Sequence, residues 1–207
     1  MDAPMWVKQR IRRIEAADAL DRIAERARDV LEPLSTGTSG DALRGRWLGH
    51  ALHPMLTDLP IGCWTSAALL DVVGGKRSRS ATQRLIGLGL LTVPLTAASG
   101  AVDWRDADDA RVRRVGLVHA AANITATLLY ISSWRHRRRG AHLRGVLFGM
   151  TGGAVASIAG HLGGHMSFGM SSAPSETDAS RDDADADADA AIVAMSSWHT
   201  GVHSALG

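Results

Sequence analysis

The sequence predicts an all-α fold: a four-transmembrane-helix bundle with an amphipathic N-terminal helix and a disordered acidic C-terminal tail. Two observations carry this prediction. The middle of the chain holds four mostly apolar stretches of about 20 residues, the length that crosses the hydrocarbon core as a helix. Both ends of the chain are polar, so the mean hydropathy of −0.01 averages two unlike parts. We therefore divide the chain into an N-terminal helix and linker (1–46), a four-span membrane domain (47–169) and an acidic low-complexity tail (170–207).

The four predicted spans cover about residues 52–73, 85–104, 115–134 and 143–164. All are rich in Gly, Ala, Ser and Thr, which let helices approach closely in lipid. None carries a continuous polar face, which favours membrane spans over a soluble four-helix bundle. Aromatic residues at the span ends are expected to form an interfacial belt: Trp47, Trp104, Tyr130 and Trp134.

The charge pattern excludes some partners and suggests an orientation. The formal charge is +2, but the tail after Ser171 is acidic while residues 1–170 are basic. The basic residues lie mainly in loops beside apolar stretches, where they set membrane topology, so we expect no nucleic-acid partner. The loops after the first and third spans carry more Lys and Arg, which predicts that these loops are cytoplasmic and that both termini lie outside.

The N-terminal segment shows two apolar stripes at helical spacing. The first consists of Val7, Ile11 and Ile14, and it stops at Asp18. The second consists of Leu20, Ile23, Ala27, Val30 and Leu34. Three placements remain open for this segment: on the membrane surface, against a partner, or paired with its copy in a homodimer.

Histidines gather at one side of the predicted bundle. Because consecutive spans alternate in direction, the starts of the first and third spans share a side with the ends of the second and fourth. That side carries His50, His53, Asp103, His119, His161 and His165. Ionisable residues in spans are costly and usually face the bundle interior or a cavity. The sequence therefore predicts a polar site at this end of the bundle.

Three interpretations of this polar site stay open. In the first, neutral imidazoles bind haem b or a transition metal. The metal candidates are His50, His53, His119, His161 and His165, and haem would take His119 with His53 or His165. Asp58, Asp103 and Asn123 are candidate partners that orient these rings. In the second, the polar groups only bind one another and lock helix packing. In the third, Asp58, His119 and Asn123 relay protons. No nucleophile triad or phosphate-binding loop is present, so we expect no catalytic residue and no enzyme activity of the chain on its own.

Five motifs occur in order: GHALHPMLTDLPIGCW, LLDVVGG, GAVDW, RVGLVHAAANI and HLGGHMSFG. Together they resemble the bacterial predicted membrane proteins of the domain of unknown function 2231 (DUF2231) family. The resemblance implies a four-span membrane domain whose polar positions correspond here to His50, His53, Asp58, Asp71, Asp103, His119, Asn123 and His165. Ala51 stands where a proline is usual, and His161 stands where a non-histidine is expected.

Some relatives carry a Rieske-type iron–sulfur domain after the fourth span, which suggests electron transfer at this face. No Cys-and-His pattern follows Gly169. We therefore expect a redox-associated subunit in the lipid bilayer of the bacterial inner (cytoplasmic) membrane, whose redox partner, Rieske-type or other, is a separate chain.

Overall fold

The computed structural model describes residues 4–170, and this part of the chain is helical and contains no strand. Its seven α-helices are α1 Met5–Glu15, α2 Asp21–Ser35, α3 Gly37–Arg44, α4 Leu52–Val73, α5 Arg79–Arg105, α6 Ala110–Arg138 and α7 His142–Gly164. Single 3-10 turns lie at Asp18–Leu20, Arg46–Leu48 and Gly75–Ser78, and α7 continues as a π-helical turn, His165–Met170. The tail predicted to be disordered lies outside the described residues.

Four helices are long and apolar enough to cross a membrane, which confirms the predicted spans. They correspond to Leu52–Val73, Gly75–Arg105, Ala110–Arg138 and His142–Phe168. The second and third are longer than predicted because charged turns continue each helix past its apolar stretch. At the start of α6, for example, Asp109 caps the helix by accepting a hydrogen bond from the backbone N–H of Arg111 at 2.8 Å.

The segment before α4 turns sharply at two glycines. Gly45 and Gly49 have φ values of 76° and 78°, a left-handed conformation that residues with a Cβ rarely adopt. Helix α4 then begins at Leu52, as predicted, with Pro54 in its first turn, where the missing N–H costs nothing.

Pro60 lies inside α4 and removes the N–H that would bond to the Leu56 carbonyl. The hydroxyl of Thr96 on α5 donates to that carbonyl at 3.2 Å, so a side chain of the neighbouring helix satisfies the group that the proline frees.

The membrane domain consists of two equivalent helical hairpins, α4–α5 and α6–α7, with the tightest packing inside each hairpin. Every buried residue of α7 lies 63 positions after a buried residue of α5. The pairs are Thr82 and Gly145, Ile86 and Gly149, Gly89 and Gly152, Thr96 and Ala159, and Ser99 and Leu162. The first helices correspond with an offset of 66 positions: the buried residues Pro60, Trp64 and Ala67 of α4 match Ala126, Tyr130 and Ser133 of α6. The same packing therefore recurs in both hairpins.

The N-terminal helices pack against the chain's own α5 and α6. Ile11 of the first stripe is buried, with 6% of its surface exposed. In the second stripe, Ile23 and Val30 are 54% and 78% exposed, whereas the neighbouring Ala24 is buried. A helix that docks on two neighbours can use a small residue at its contact, because alanine allows close approach.

One aromatic prediction also needs correction. Tyr130 is not interfacial but lies in the core, 4% exposed and stacked on Trp64. Among the glycines, Gly149 and Gly152 pack against side chains of α6, whereas a Cβ at Gly160 would meet nothing within 4 Å.

Candidate functional site

His53 is half-buried near the start of α4, and α5 fixes the orientation of its ring. The distance from its Nδ1 to the Thr96 carbonyl oxygen is 2.9 Å. A carbonyl oxygen can only accept, so Nδ1 carries the proton and Nε2 has the lone pair. A Cβ at Gly100 would stand 2.5 Å from the ring, so this glycine makes the space that the imidazole occupies.

His119 occupies the equivalent place in the second hairpin. Its Nδ1 lies 2.8 Å from the Ala159 carbonyl oxygen of α7, which fixes the same tautomer. A Cβ at Gly163 would stand 3.1 Å from its ring. The amide of Asn123, one turn along α6, donates to Nε2 at 3.0 Å. Asn123 is thus the one predicted orienting partner that contacts an imidazole among the described residues.

The two imidazoles form the first of three layers between the hairpins. His53 and His119 lie at equivalent positions and close enough to interact electrostatically. The second layer is the Trp64–Tyr130 stack, with ring centroids 3.9 Å apart. Trp64 follows His53 by 11 residues, about 16 Å of helix. Its indole N–H is buried without a hydrogen-bond partner among the described residues.

The third layer is an ion pair that the sequence analysis did not identify. Both terminal nitrogens of Arg137 donate to Asp71, at 2.9 and 2.5 Å. Their side chains are 2% and 6% exposed. The predicted third span ends at residue 134, which would place Arg137 in the following loop, but Arg137 lies on the last turn of α6 and points inward. The 66-residue spacing that Asp71 and Arg137 share with His53 and His119 was the available signal.

The remaining histidine candidates lie apart from this pair. His50 is exposed, and its Nδ1 contacts the neighbouring Ala51 carbonyl oxygen at 3.3 Å. His161 is exposed on α7. His165 donates from Nε2 to Glu15 of α1 at 2.8 Å, which joins α7 to the N-terminal segment. Within residues 4–170, no three His, Cys, Asp or Glu residues converge in a way that could hold a metal ion.

Within residues 4–170, neither of the two acidic candidates is bonded to an imidazole. Asp58 is exposed, on the face of α4 that also bears the exposed Leu69 and Val72, away from the buried Pro60 and Trp64. Asp103 lies near the end of α5, in the field of Arg44 and Asp106.

Ion pairs fasten the N-terminal segment over the histidine end of the bundle, meaning the end where α4 and α6 begin. Arg44 forms a two-pronged contact with Asp106, at 2.6 and 3.1 Å. This hydrogen-bonded guanidinium holds the pKa of Asp106 below its ordinary value. Arg114 bonds to Asp21 at 2.7 Å and to the Glu15 carbonyl oxygen at 2.6 Å, and the bond to Arg114 likewise lowers the pKa of Asp21.

The fold and the buried polar layers define an integral membrane protein with a helical-hairpin duplication. The chain belongs to the family described as "Predicted membrane protein (DUF2231)", whose model matches residues 49–173. This match confirms the resemblance read from the motifs. No curated protein and no solved structure matches the chain.

Proposed function

We propose that the protein is a redox-associated membrane subunit in which His53 and His119 hold a cofactor, with haem b favoured over a metal ion. One observation carries the proposal: each imidazole donates its Nδ1 proton to a main-chain carbonyl of the adjacent helix. That bond fixes the ring and leaves Nε2 as the ligand atom, the arrangement typical of metal-bound histidine.

The number of ligands favours haem. A zinc or copper site held by protein alone needs three or four ligands, and within residues 4–170 no such group converges. Haem would need only two nitrogens from the protein, and the two hairpins would supply one each. His165 is the weaker candidate ligand because its Nε2 bonds to Glu15.

The chain's own residues fit a two-ligand site with one adjustment. The Nε2 of His53 has no bonding partner among the described residues, whereas that of His119 accepts from Asn123. Asn123 must release this bond when His119 binds a ligand, and its amide then remains one turn away to bond a polar edge of the bound group. When bound, haem supplies reversible one-electron transfer. Gly100 and Gly163 let the imidazoles lie against α5 and α7, and the Trp64–Tyr130 layer limits water below them.

The proposal extends to the surroundings of the protein. The charge of the loops supports a bacterial inner membrane with both termini outside, although Arg137 no longer counts as a loop charge. Electrons would then pass to a separate Rieske-type or other redox protein at the histidine end.

A structural role is the second candidate, and the Asn123–His119 bond favours it. In this case the histidines and Asn123 satisfy one another and only lock the helices. A proton relay has less support because it needs Asp58 beside His119, and Asp58 lies on the exposed face of α4.

The test is a reduced-minus-oxidised absorption spectrum of the full chain, purified in mild detergent from cells supplied with haem precursors, with metals counted by mass spectrometry. We expect a Soret band near one haem per chain that is lost in both His53→Ala and His119→Ala. His50→Ala and His161→Ala are the controls and should retain it. A chain that has neither chromophore nor stoichiometric metal, yet loses stability in His119→Ala, would leave the structural role in place of the cofactor.

A further inference from the structure

A second polar site lies outside the histidine pair, in a groove between α1 and the end of α7. The groove has a volume of about 510 Å³. It is lined by Lys8, Ile11, Arg12 and Glu15 of α1, and by Gly160, His161, Gly164 and His165 of α7. The groove residues follow the helical repeat, at i, i+3, i+4 and i+7 on α1 and at i, i+1, i+4 and i+5 on α7, so each helix presents one face to the groove.

The side-chain charges in the groove favour an anionic ligand. Among the residues that the structure describes, Glu15 is the only acidic group lining the groove, and its carboxylate accepts a hydrogen bond from His165 at 2.8 Å. Arg12 is exposed and forms no ion pair with any residue described between 4 and 170. Lys8 stands one helical turn before Arg12, so the two cations project into the groove side by side.

The α7 wall leaves room for a ligand. A Cβ at Gly160 or Gly164 would meet nothing within 4 Å, so these glycines open the groove rather than pack a helix contact. His161 stands exposed between them and adds a ring nitrogen. The wall belongs to the last turns of the fourth span, His142–Phe168. The end of a span lies near the lipid headgroups.

We propose that this groove binds the phosphate headgroup of an anionic phospholipid, with Lys8 and Arg12 as the charged ligands and His161 as a hydrogen-bond partner. The position at the end of a span favours a headgroup, whose acyl chains remain in the bilayer beside α7. A bound lipid would fasten α1 to α7 alongside the Glu15–His165 bond. This proposal does not depend on any cofactor at His53 and His119.

The experiment titrates the purified full chain in detergent and counts bound lipid by native mass spectrometry. Phosphatidylglycerol is compared with phosphatidylcholine of the same acyl chains, and inorganic phosphate is added as a competitor. We expect phosphatidylglycerol to bind more tightly. Removing both cations in Lys8→Gln/Arg12→Gln should weaken it about thirtyfold, since each surface cation contributes about a factor of five to anionic-lipid attraction.

The matched control is Arg10→Gln/Arg13→Gln, which removes the same charge from the far face of α1. Both arginines are exposed and do not line the groove. We expect this control to change the affinity about twofold or less, and Gly160→Leu, which fills the groove without changing charge, to abolish the preference. Equal weakening by both double variants would overturn the proposal in favour of general surface attraction. Equal binding of the two lipids would overturn it also, as would full displacement by phosphate at the concentration of the lipid, which would identify a free-anion site.

Discussion

Asp71 and Arg137 join the first helices of the two hairpins through a buried, two-pronged ion pair. Ser133 contributes to the same cluster: its hydroxyl accepts from Arg137 at 3.2 Å and donates to the Gly145 carbonyl oxygen at 2.6 Å. The arginine stem lies where a Cβ at Gly145 would stand, 2.5 Å from Arg137 Cγ. The cluster therefore links α4, α6 and α7 at the end of the bundle opposite the histidines.

Breaking this ion pair on one side should destabilise the bundle strongly. Arg137→Leu leaves the Asp71 carboxylate buried without a partner, which costs about 3–5 kcal/mol. Asp71→Leu/Arg137→Leu removes both charges and should recover most of that loss. Thermal unfolding in detergent measures both, with the exposed Arg139→Leu as control. A double variant no more stable than the single ones would contradict the assignment of the cost to an unpaired charge.

The Trp64–Tyr130 layer should depend on Gly89 as much as on its rings. A Cβ at Gly89 would collide with the indole nitrogen of Trp64. We expect Gly89→Ala to push the indole out of its stack and to destabilise the protein by about 1–3 kcal/mol, the usual cost of overpacking. Tryptophan fluorescence and thermal unfolding report the change. Gly62→Ala, on the open face of the same hairpin, is the control and should be near neutral, because its Cβ meets nothing within 4 Å.

Asn123 and Asp58, the two polar candidates that lie a turn or more inside the spans, have different surroundings in the structure. Asn123→Ala removes the amide that competes for His119 Nε2 and that would then bond the bound group, so it should change the absorption spectrum or metal content of the purified protein. Asp58→Asn should leave both unchanged, since Asp58 lies on the exposed face of α4. Spectra of the two variants at equal protein concentration decide the point. A spectrum altered by Asp58→Asn alone would instead favour the relay interpretation.

Acid should release the N-terminal helices from the bundle. Asp106 and Asp21 have pKa values below their ordinary 3.8 because of Arg44 and Arg114. A carboxyl group with a depressed pKa stabilises the folded state at pH values above its ordinary pKa. That contribution is lost as the pH falls through the folded-state pKa. We therefore expect α1–α3 to become accessible to protease only as the pH falls below the ordinary 3.8, while the spans remain protected. Pepsin reports this at acid pH, and trypsin reports it at neutral pH.

The matched variant for this release is Asp106→Asn, which should expose α1–α3 already at neutral pH and remove part of the acid dependence. Asp41→Asn serves as control, because Asp41 is half exposed and makes a single, long contact of 3.8 Å with Arg44. Cleavage that begins at the same pH in all three proteins would argue against the Arg44–Asp106 contact as the fastening.

The sequence by itself determined the helical class, the four spans, the start of α4 at Leu52 and the break between α1 and α2. These features depend on local composition, length and capping, which a single chain displays directly. The alternation of spans also assigned His53 and His119 to one end of the bundle.

Only the tertiary structure decided which polar residues meet. A sequence indicates at which end of a bundle a residue lies, but not how each helix is rotated about its axis. Asp58 and His53 lie on nearly opposite faces of α4, so the rotation of α4 decides which of them faces the neighbouring helices. The same limit concealed the pairing of Arg137 with Asp71, because a basic residue beside an apolar stretch has the same local pattern whether it faces water or the core. Packing between the two hairpins fixed these rotations, and of the five candidate histidines it brings His53 and His119 near one another.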